Sequence, residues 1–432
     1  MDDVDAARGA AVLEAGIGRR RLLTVAGALG ASAAASAVLP AAASAREAAG
    51  PDPTGWPTVL QPGTGPTLGR YLPSTLETVG WGELPNRRAA PAFSVRSGSV
   101  VTIDTVSHEG LLEDQGKDPV QWFGDHGVRR DGVLRDAIEI AAKGRHTGPG
   151  PHVVTGPIAV EGAVPGDVLK VEILRLLRRV PYGVISNRHG KGALSGELPQ
   201  QFAGVPEYER YFNTGGNISI FASVGKSRTG PRGVLPAGGL AEPVTFPVRP
   251  FMGMMGVARD TVDMVDSVPP TNAGGNIDIK DLVVGTTLYL PVQVAGALFY
   301  TGDPHFAQGH GEVALTALEA SLRASFRLSV IKPGGKAPSP AFAGHPFGET
   351  PDHWLPIGLS DPDGPVGGQV TSLDPAMRVA VRNALSFLSE DLGMDAPVAY
   401  AYLSAAADFV TSQVVDRTVG VHGLIAKADF RR

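Results

Sequence analysis

Residues 282–300 read LVVGTTLYLPVQVAGALFY, a run without a single charged side chain. It is long enough to suggest a membrane-spanning helix. Gly285, Pro291 and Gly296 break it at strand-length intervals, however, and the run reads as two buried β-strands. Flanking sequence agrees. Leu322, Ala324, Phe326, Leu328 and Val330 alternate with Arg323, Ser325, Arg327 and Ser329, the pattern of a half-exposed strand. Val101, Ile103 and Thr105 alternate with polar partners, as does VLKVEI at 168–173, which follows Pro165-Gly166, a pair suited to a type II turn. Only the C-terminal part looks helical. Asp374 suits a cap with Pro375 first inside, Met377, Val381, Ala384, Leu385 and Leu388 make an apolar face, and Gly393 is a stop. A second helix is expected from about Val398 to Val410. The order predicts an α+β fold, mainly β: packed mixed or antiparallel sheets, sandwich-like, with a helical C-terminal part.

Composition narrows the chemistry. With no Cys in 432 residues there is no disulfide framework, no thiolate metal site and no cysteine nucleophile. A net charge of −5 with 19% charged residues supplies no basic stripe for nucleic acid and too little charge for a disordered chain. The 56 Gly and 36 Pro suit a loop-rich, strand-rich fold.

The N-terminal stretch reads as a targeting segment. Arg19 and Arg20 precede a weakly hydrophobic Ala/Gly-rich run that ends in Ala43-Ser44-Ala45, which resembles a twin-arginine export signal cleaved after Ala45. The expected location is the periplasm or the extracellular space. Residues 46–74 read as an irregular Pro/Gly-rich linker, and 75–432 as the folded domain.

Familiar hydrolase signatures are missing. There is no G-x-S-x-G elbow, and Gly110-Leu111-Leu112 after His108-Glu109 breaks the zincin spacing. GHGEVA at 309–314 lacks the βαβ context of a nucleotide site, Asp125-His126 and Arg188-His189 read as solvated loops, and Met252, Met254 and Met255 read as core filler. Polar density gathers instead at both ends of the apolar run: Asn272, Asn276 and Asp278 before it, then Asp303, His305, Gln308, His310 and Glu312 after it, among glycines. Turn chemistry explains the Asn, Asp and Gly singly, but not His305, His310 and Glu312 together. Asp303 and His305, one residue apart, can converge on a divalent ion.

These segments carry a family resemblance. HVVTGPIAVEGAVPGDVLKVEIL, GGNIDIKDL, LYLPVQVAGALFYTGDPHFAQGHGE and LSAAADFVTSQVVDRTVGVHGLIAK, in that order between about Pro91 and Lys427, resemble the acetamidase/formamidase family. The resemblance implies an amidohydrolase that cleaves the carbon–nitrogen bond of small linear amides to carboxylate and ammonia, as a homo-oligomer with a bound divalent metal, Zn the first candidate. On that reading Asp303 and His305 are metal ligands and Glu312 the proton shuttle, with His310 and Asp278 as further catalytic candidates. Asn276, Gln308 and His152 are the substrate-binding candidates, and His422 is marked by the resemblance alone. Two positions depart from the family pattern: Ala273 stands where a His is usual, and His310 where an Asp is usual. A second reading follows from them, a non-catalytic or divergent exported β protein that binds a small polar ligand on the same scaffold.

Overall fold

The two strands of the 282–300 run are Thr287–Pro291 and Phe299–Ala307, and they enter different sheets. The computed structural model describes residues 59–362 and 371–430. The expected export signal, with Arg19 and Arg20, and the first part of the expected linker lie outside them. Among the described residues no helix is long and apolar enough to cross a membrane.

One sheet has nine strands, with Ser99–Asp104, Leu322–Ile331, Val168–Arg178 and Thr287–Pro291 side by side near its middle and His353–Leu359, Gly420–Ala426 and Asp408–Gln413 at one end. The other has eleven, and at its centre Phe299–Ala307 is flanked by Phe251–Gly256, Leu318–Glu319 and Val153–Val160. Pairing is antiparallel except for Arg70–Leu72 on 99–104 and Phe93–Val95 on 153–160. Alternation puts Val101, Ile103, Val171, Ile173 and Phe326 of one sheet against Ile158, Val160 and Phe299 of the other in one core. Phe299 and Phe326 meet edge to face at 5.3 Å between centroids. Each such ring contributes about 1.5–3 kcal/mol by leaving water.

The strand 322–331 is not half-exposed along its length. Arg327 is exposed as the alternation predicts, but Arg323 and Ser325 are fully buried. The covering comes from residues 59–72, the second part of the expected linker. Leu60 is buried, its N–H bonds to the Arg179 carbonyl, and 70–72 forms a strand on 99–104. Beneath this segment Asp104 accepts from Arg323 Nε (2.5 Å) and Nη2 (2.9 Å) and from the Tyr71 hydroxyl (2.6 Å). Arg179 lies 2.7 Å from Asp136 and 3.5 Å from Asp104, so two buried guanidinium groups face two buried carboxylates. A polar residue on the outer face of a strand reads as solvated until the segment that covers it is known.

The C-terminal helix, Leu373–Ser386, begins one residue before the expected cap, with the Ser372 hydroxyl accepting from the Asp374 N–H. Its buried face is Ala376, Ala380, Asn383 and Ala384, while Met377 is 38% exposed. The reason is close approach: a Cβ at Gly358 would stand 2.1 Å from the Ala376 carbonyl oxygen and 2.3 Å from the Ala380 nitrogen. Small residues on the helix and glycine on the strand let the backbones touch. The second helix, Ala396–Ala406, ends earlier than expected, because 408–413 is recruited as the edge strand beside 420–426.

Candidate active site

Three imidazoles converge on one carboxylate. Asp303 and His305 project from the central strand 299–307, His152 stands just before 153–160, and His108 follows 99–104. His108 Nδ1 and His152 Nε2 each lie 3.7 Å from Asp303 Oδ1, and His305 Nε2 lies 3.0 Å from Asp303 Oδ2 and 2.9 Å from Glu319 Oε1. The opposite nitrogen of each ring is held. His305 Nδ1 is 3.1 Å from Gln308 Oε1, His152 Nδ1 is 3.0 Å from Ser267 Oγ, and His108 Nε2 is 3.3 Å from Glu109 Oε1. Glu109 is fixed in turn by Ser186 Oγ (2.9 Å) and by Arg188 (3.0 Å to Oε1), which also reaches Asp114 at 2.9 Å. One nitrogen tethered and the other presented is the arrangement that orients metal-ligating histidines.

Asp278, Glu312 and Asp416 complete the cluster from three loops, all buried. Asp278, Asp303 and Glu312 have φ of 47°, 49° and 48°, a left-handed backbone that side-chain-bearing residues seldom adopt. Such conformations are held at functional sites by the surrounding structure. Gly253, on strand 251–256 between the buried methionines, leaves the space among them open: a Cβ there would fall 2.4 Å from Asp278 Oδ1, 2.6 Å from His305 Cε1 and 2.8 Å from Asp303 Oδ2.

Crowding sets the charge state. Burial, with the neighbouring carboxylates, pushes Asp278 and Glu312 well above the usual carboxylate range, and burial first of all lifts Glu319 and Asp416 to about 7. Burial also acts against charge on Asp303, but His305 and His152 beside it outweigh that and hold its carboxyl well below the usual range. Burial also acts against charge on His305, but Glu319 and Asp303 outweigh it and raise the imidazole above its usual range. His152 falls to about 4, burial being the main cause.

Buried polar atoms without a hydrogen-bond partner collect here: His108 Nδ1, Asp278 Oδ1, Asp303 Oδ1, Glu312 Oε2, Glu319 Oε2 and Asn276 Oδ1. Orphaned donors and acceptors of this kind are costly unless a ligand takes them up. Imidazole nitrogens and carboxylate oxygens around an open space are the donor set of a divalent ion, so the residues present fit a metal. The cluster forms one wall of a cavity of about 1010 Å³. His146, Lys191 and Arg417 stand elsewhere on its lining.

The structure gathers Asp303, His305, Asp278, Asn276, Glu312 and His152, and His152 both lines the cavity and faces Asp303. Gln308 serves the cluster from behind, and His310 stands elsewhere. The Gln308 amide is spent on the scaffold, donating to the Asp278 carbonyl (2.9 Å) and the Ser412 carbonyl (3.2 Å) while its oxygen meets His305, so it has no group left for a substrate. His310 points away from the cavity toward Asp281, 3.6 Å away. Ala273 is buried in the main core and does not line the cavity, so His310 replaces no group lost there.

Sequence reasoning missed His108, Glu109, Glu319, Asp416 and Arg188. His108-Glu109 does carry a signal, an adjacent imidazole and carboxylate after a strand, but testing it only against zincin spacing discards it. Arg188 is not a solvated loop residue; its side chain is 12% exposed and pairs with Glu109.

The sequence pattern of the acetamidase/formamidase family matches residues 145–425, beginning later than the resemblance read from about Pro91. A formamidase of Methylophilus methylotrophus is 27% identical over 275 residues, 55% of this chain and 67% of that protein. An acetamidase of Mycolicibacterium smegmatis is 27% identical over 282 residues, 55% of this chain and 69% of that one. Among solved structures, an acetamidase from Bacillus halodurans superposes with a TM-score of 0.60 at 24% identity, over 83% of this chain and 98% of that one. An acetamidase from Yersinia enterocolitica does so with a TM-score of 0.62 at 22% identity, over 86% and 95%. Those two likenesses speak for the fold, and the pattern over 145–425 for the lineage: this chain belongs to the acetamidase/formamidase family.

Proposed function

We propose that this protein hydrolyses the carbon–nitrogen bond of small linear amides, giving carboxylate and ammonia, with the His108/His152/His305/Asp303/Glu319 cluster holding a divalent ion, Zn the first candidate. The observation that carries the reading is the convergence of three tethered imidazoles on the two oxygens of Asp303. A bound divalent ion supplies Lewis acidity, making water nucleophilic near neutral pH and polarising the amide carbonyl. The chain's own residues do the rest. Glu312 in its ionised form would take a proton from the attacking water as the C–O bond forms and hand it to the departing nitrogen as the C–N bond breaks, and burial, which raises Glu312 and Asp278 above the usual carboxylate range, favours both steps. Asn276, with its Oδ1 unpartnered, is placed to orient the substrate amide. The resemblance also makes a homo-oligomer part of this reading.

The test is ammonia release by the purified protein on formamide, acetamide, propionamide and longer amides, with chelator-stripped and metal-restored samples in parallel. Longer amides belong in the series because a 1010 Å³ cavity sits at the top of the ~300–1,000 Å³ range of ligand pockets. Turnover should vanish on stripping and return with metal. Folded, metal-loaded protein that releases no ammonia from any of them would instead favour the binding protein.

Export belongs to the same proposal and rests on Arg19-Arg20 and the run ending at Ala45. Replacing both, Arg19→Lys with Arg20→Lys, should leave uncleaved precursor in the cytosol. Unchanged delivery of that double variant would point to another route.

A further inference from the structure

His310 belongs to a second constellation, apart from the cavity. His310 Nε2 lies 3.6 Å from Asp281 Oδ2, His422 Nε2 lies 3.0 Å from the same oxygen, and ligand atoms of the three residues all fall within 4.8 Å of one another. None of the three lines the 1010 Å³ cavity. His422 is fully buried, while the side chains of Asp281 and His310 are 31% and 30% exposed, so the cluster is anchored on the inside and open on the outside. His422 is built like the cavity imidazoles, with Nδ1 2.8 Å from the Ser412 hydroxyl and Nε2 presented to a carboxylate. A lone His–Asp hydrogen bond needs one imidazole. Here a second ring, 5.6 Å from the first between centroids, is brought to the same oxygen from the solvent side.

We propose that Asp281, His310 and His422 form a second binding site for a divalent transition-metal ion of the Zn²⁺ class, with Ser412 as the positioning residue and solvent on the fourth side. Two imidazoles and a carboxylate are a ligand set this class accepts. Bonds of ~2.1 Å in tetrahedral geometry put ligand atoms about 3.4 Å apart, and the 3.6 and 3.0 Å separations bracket that value. Asp281 lies five residues past Asn276 and His310 five past His305, so the loops that carry the cavity cluster also carry this one. Gln308 joins them directly, bonding His305 with its oxygen and the Ser412 carbonyl with its nitrogen.

Chelator-treated full-length protein titrated with Zn²⁺, its content counted after gel filtration, tests the site. Wild-type protein should hold one more ion per chain than His310→Ala or the near-isosteric His310→Gln, at unchanged circular dichroism. Ser412→Ala, which removes only the tether, should weaken that extra ion by ~10–100-fold and leave the others in place. Co²⁺ in place of Zn²⁺ should give a visible absorption band that both His310 variants lose. Equal ion content in wild type and both variants would overturn the proposal. Since the count is a difference between proteins, it reads the same whether or not the cavity cluster holds metal and whether or not any amide is turned over.

Discussion

Asp303→Ala is expected to lose the ion of the cavity cluster and with it at least ~10³-fold in kcat/KM, about 4 kcal/mol of transition-state stabilisation, while the near-ultraviolet circular dichroism stays native. Three imidazoles are aimed at this one carboxylate, 3.7, 3.7 and 3.0 Å away. Gly253→Ala should reach the same end from the opposite side. Gly253 has no left-handed φ to relax, so the added methyl brings no backbone strain of its own and simply occupies the space between Asp278, His305 and Asp303. Metal content and ammonia release measured on both variants check the account. Stoichiometric metal in both would remove Asp303 from the ligand set and mean that the gap at Gly253 is not where an ion sits.

Arg323→Ala is expected to destabilise the fold by about 3–5 kcal/mol, because it leaves the fully buried Asp104 short of its bidentate partner. In thermal unfolding that is a fall on the order of 10 °C. The same change also strips the donors that hold the Thr64 carbonyl and the Tyr71 hydroxyl, so residues 59–72 should become the first part of the chain open to protease. Replacing the pair together, Arg323→Met with Asp104→Leu, should recover much of the loss, since the cost lies in the unpaired charge. A loss below about 1 kcal/mol in Arg323→Ala would mean that water reaches Asp104 and that the segment is not a true lid on the pair.

How far the sequence discloses this molecule depends on whether a signal is local. Period-two alternation and the Gly/Pro breaks in 282–300 carry the strands, and the ordered segments around Asp303 and His305 carry half of the site. Arg323 and Ser325 mislead because what hides them, residues 59–72, lies some 250 positions away and reads as a linker by composition. Met377 misleads in the same manner: the helix face is chosen by Gly358 on a strand, a contact that no helical periodicity contains. His108 and Glu319 sit on different strands and loops, and only the sheet order brings them to Asp303. Gln308 and His310 flank the right place, yet Gln308 is spent on tethering His305 and the loop turns His310 outward to Asp281. Proximity in sequence to a ligand is therefore weaker evidence than a tethered ring nitrogen.

Three of the cluster's carboxylates, those of Asp278, Asp303 and Glu312, stand on backbone turned to positive φ, a posture that glycine holds without cost and that other residues hold at a penalty of order 1 kcal/mol or more each. Selection for robustness alone would put small, uncharged residues at all three, easing both the backbone and the mutual repulsion of the acids. Their presence sets thermal endurance against chemistry in this chain. The most heat-resistant descendants that random mutagenesis yields should accordingly be found among those that have stopped being enzymes.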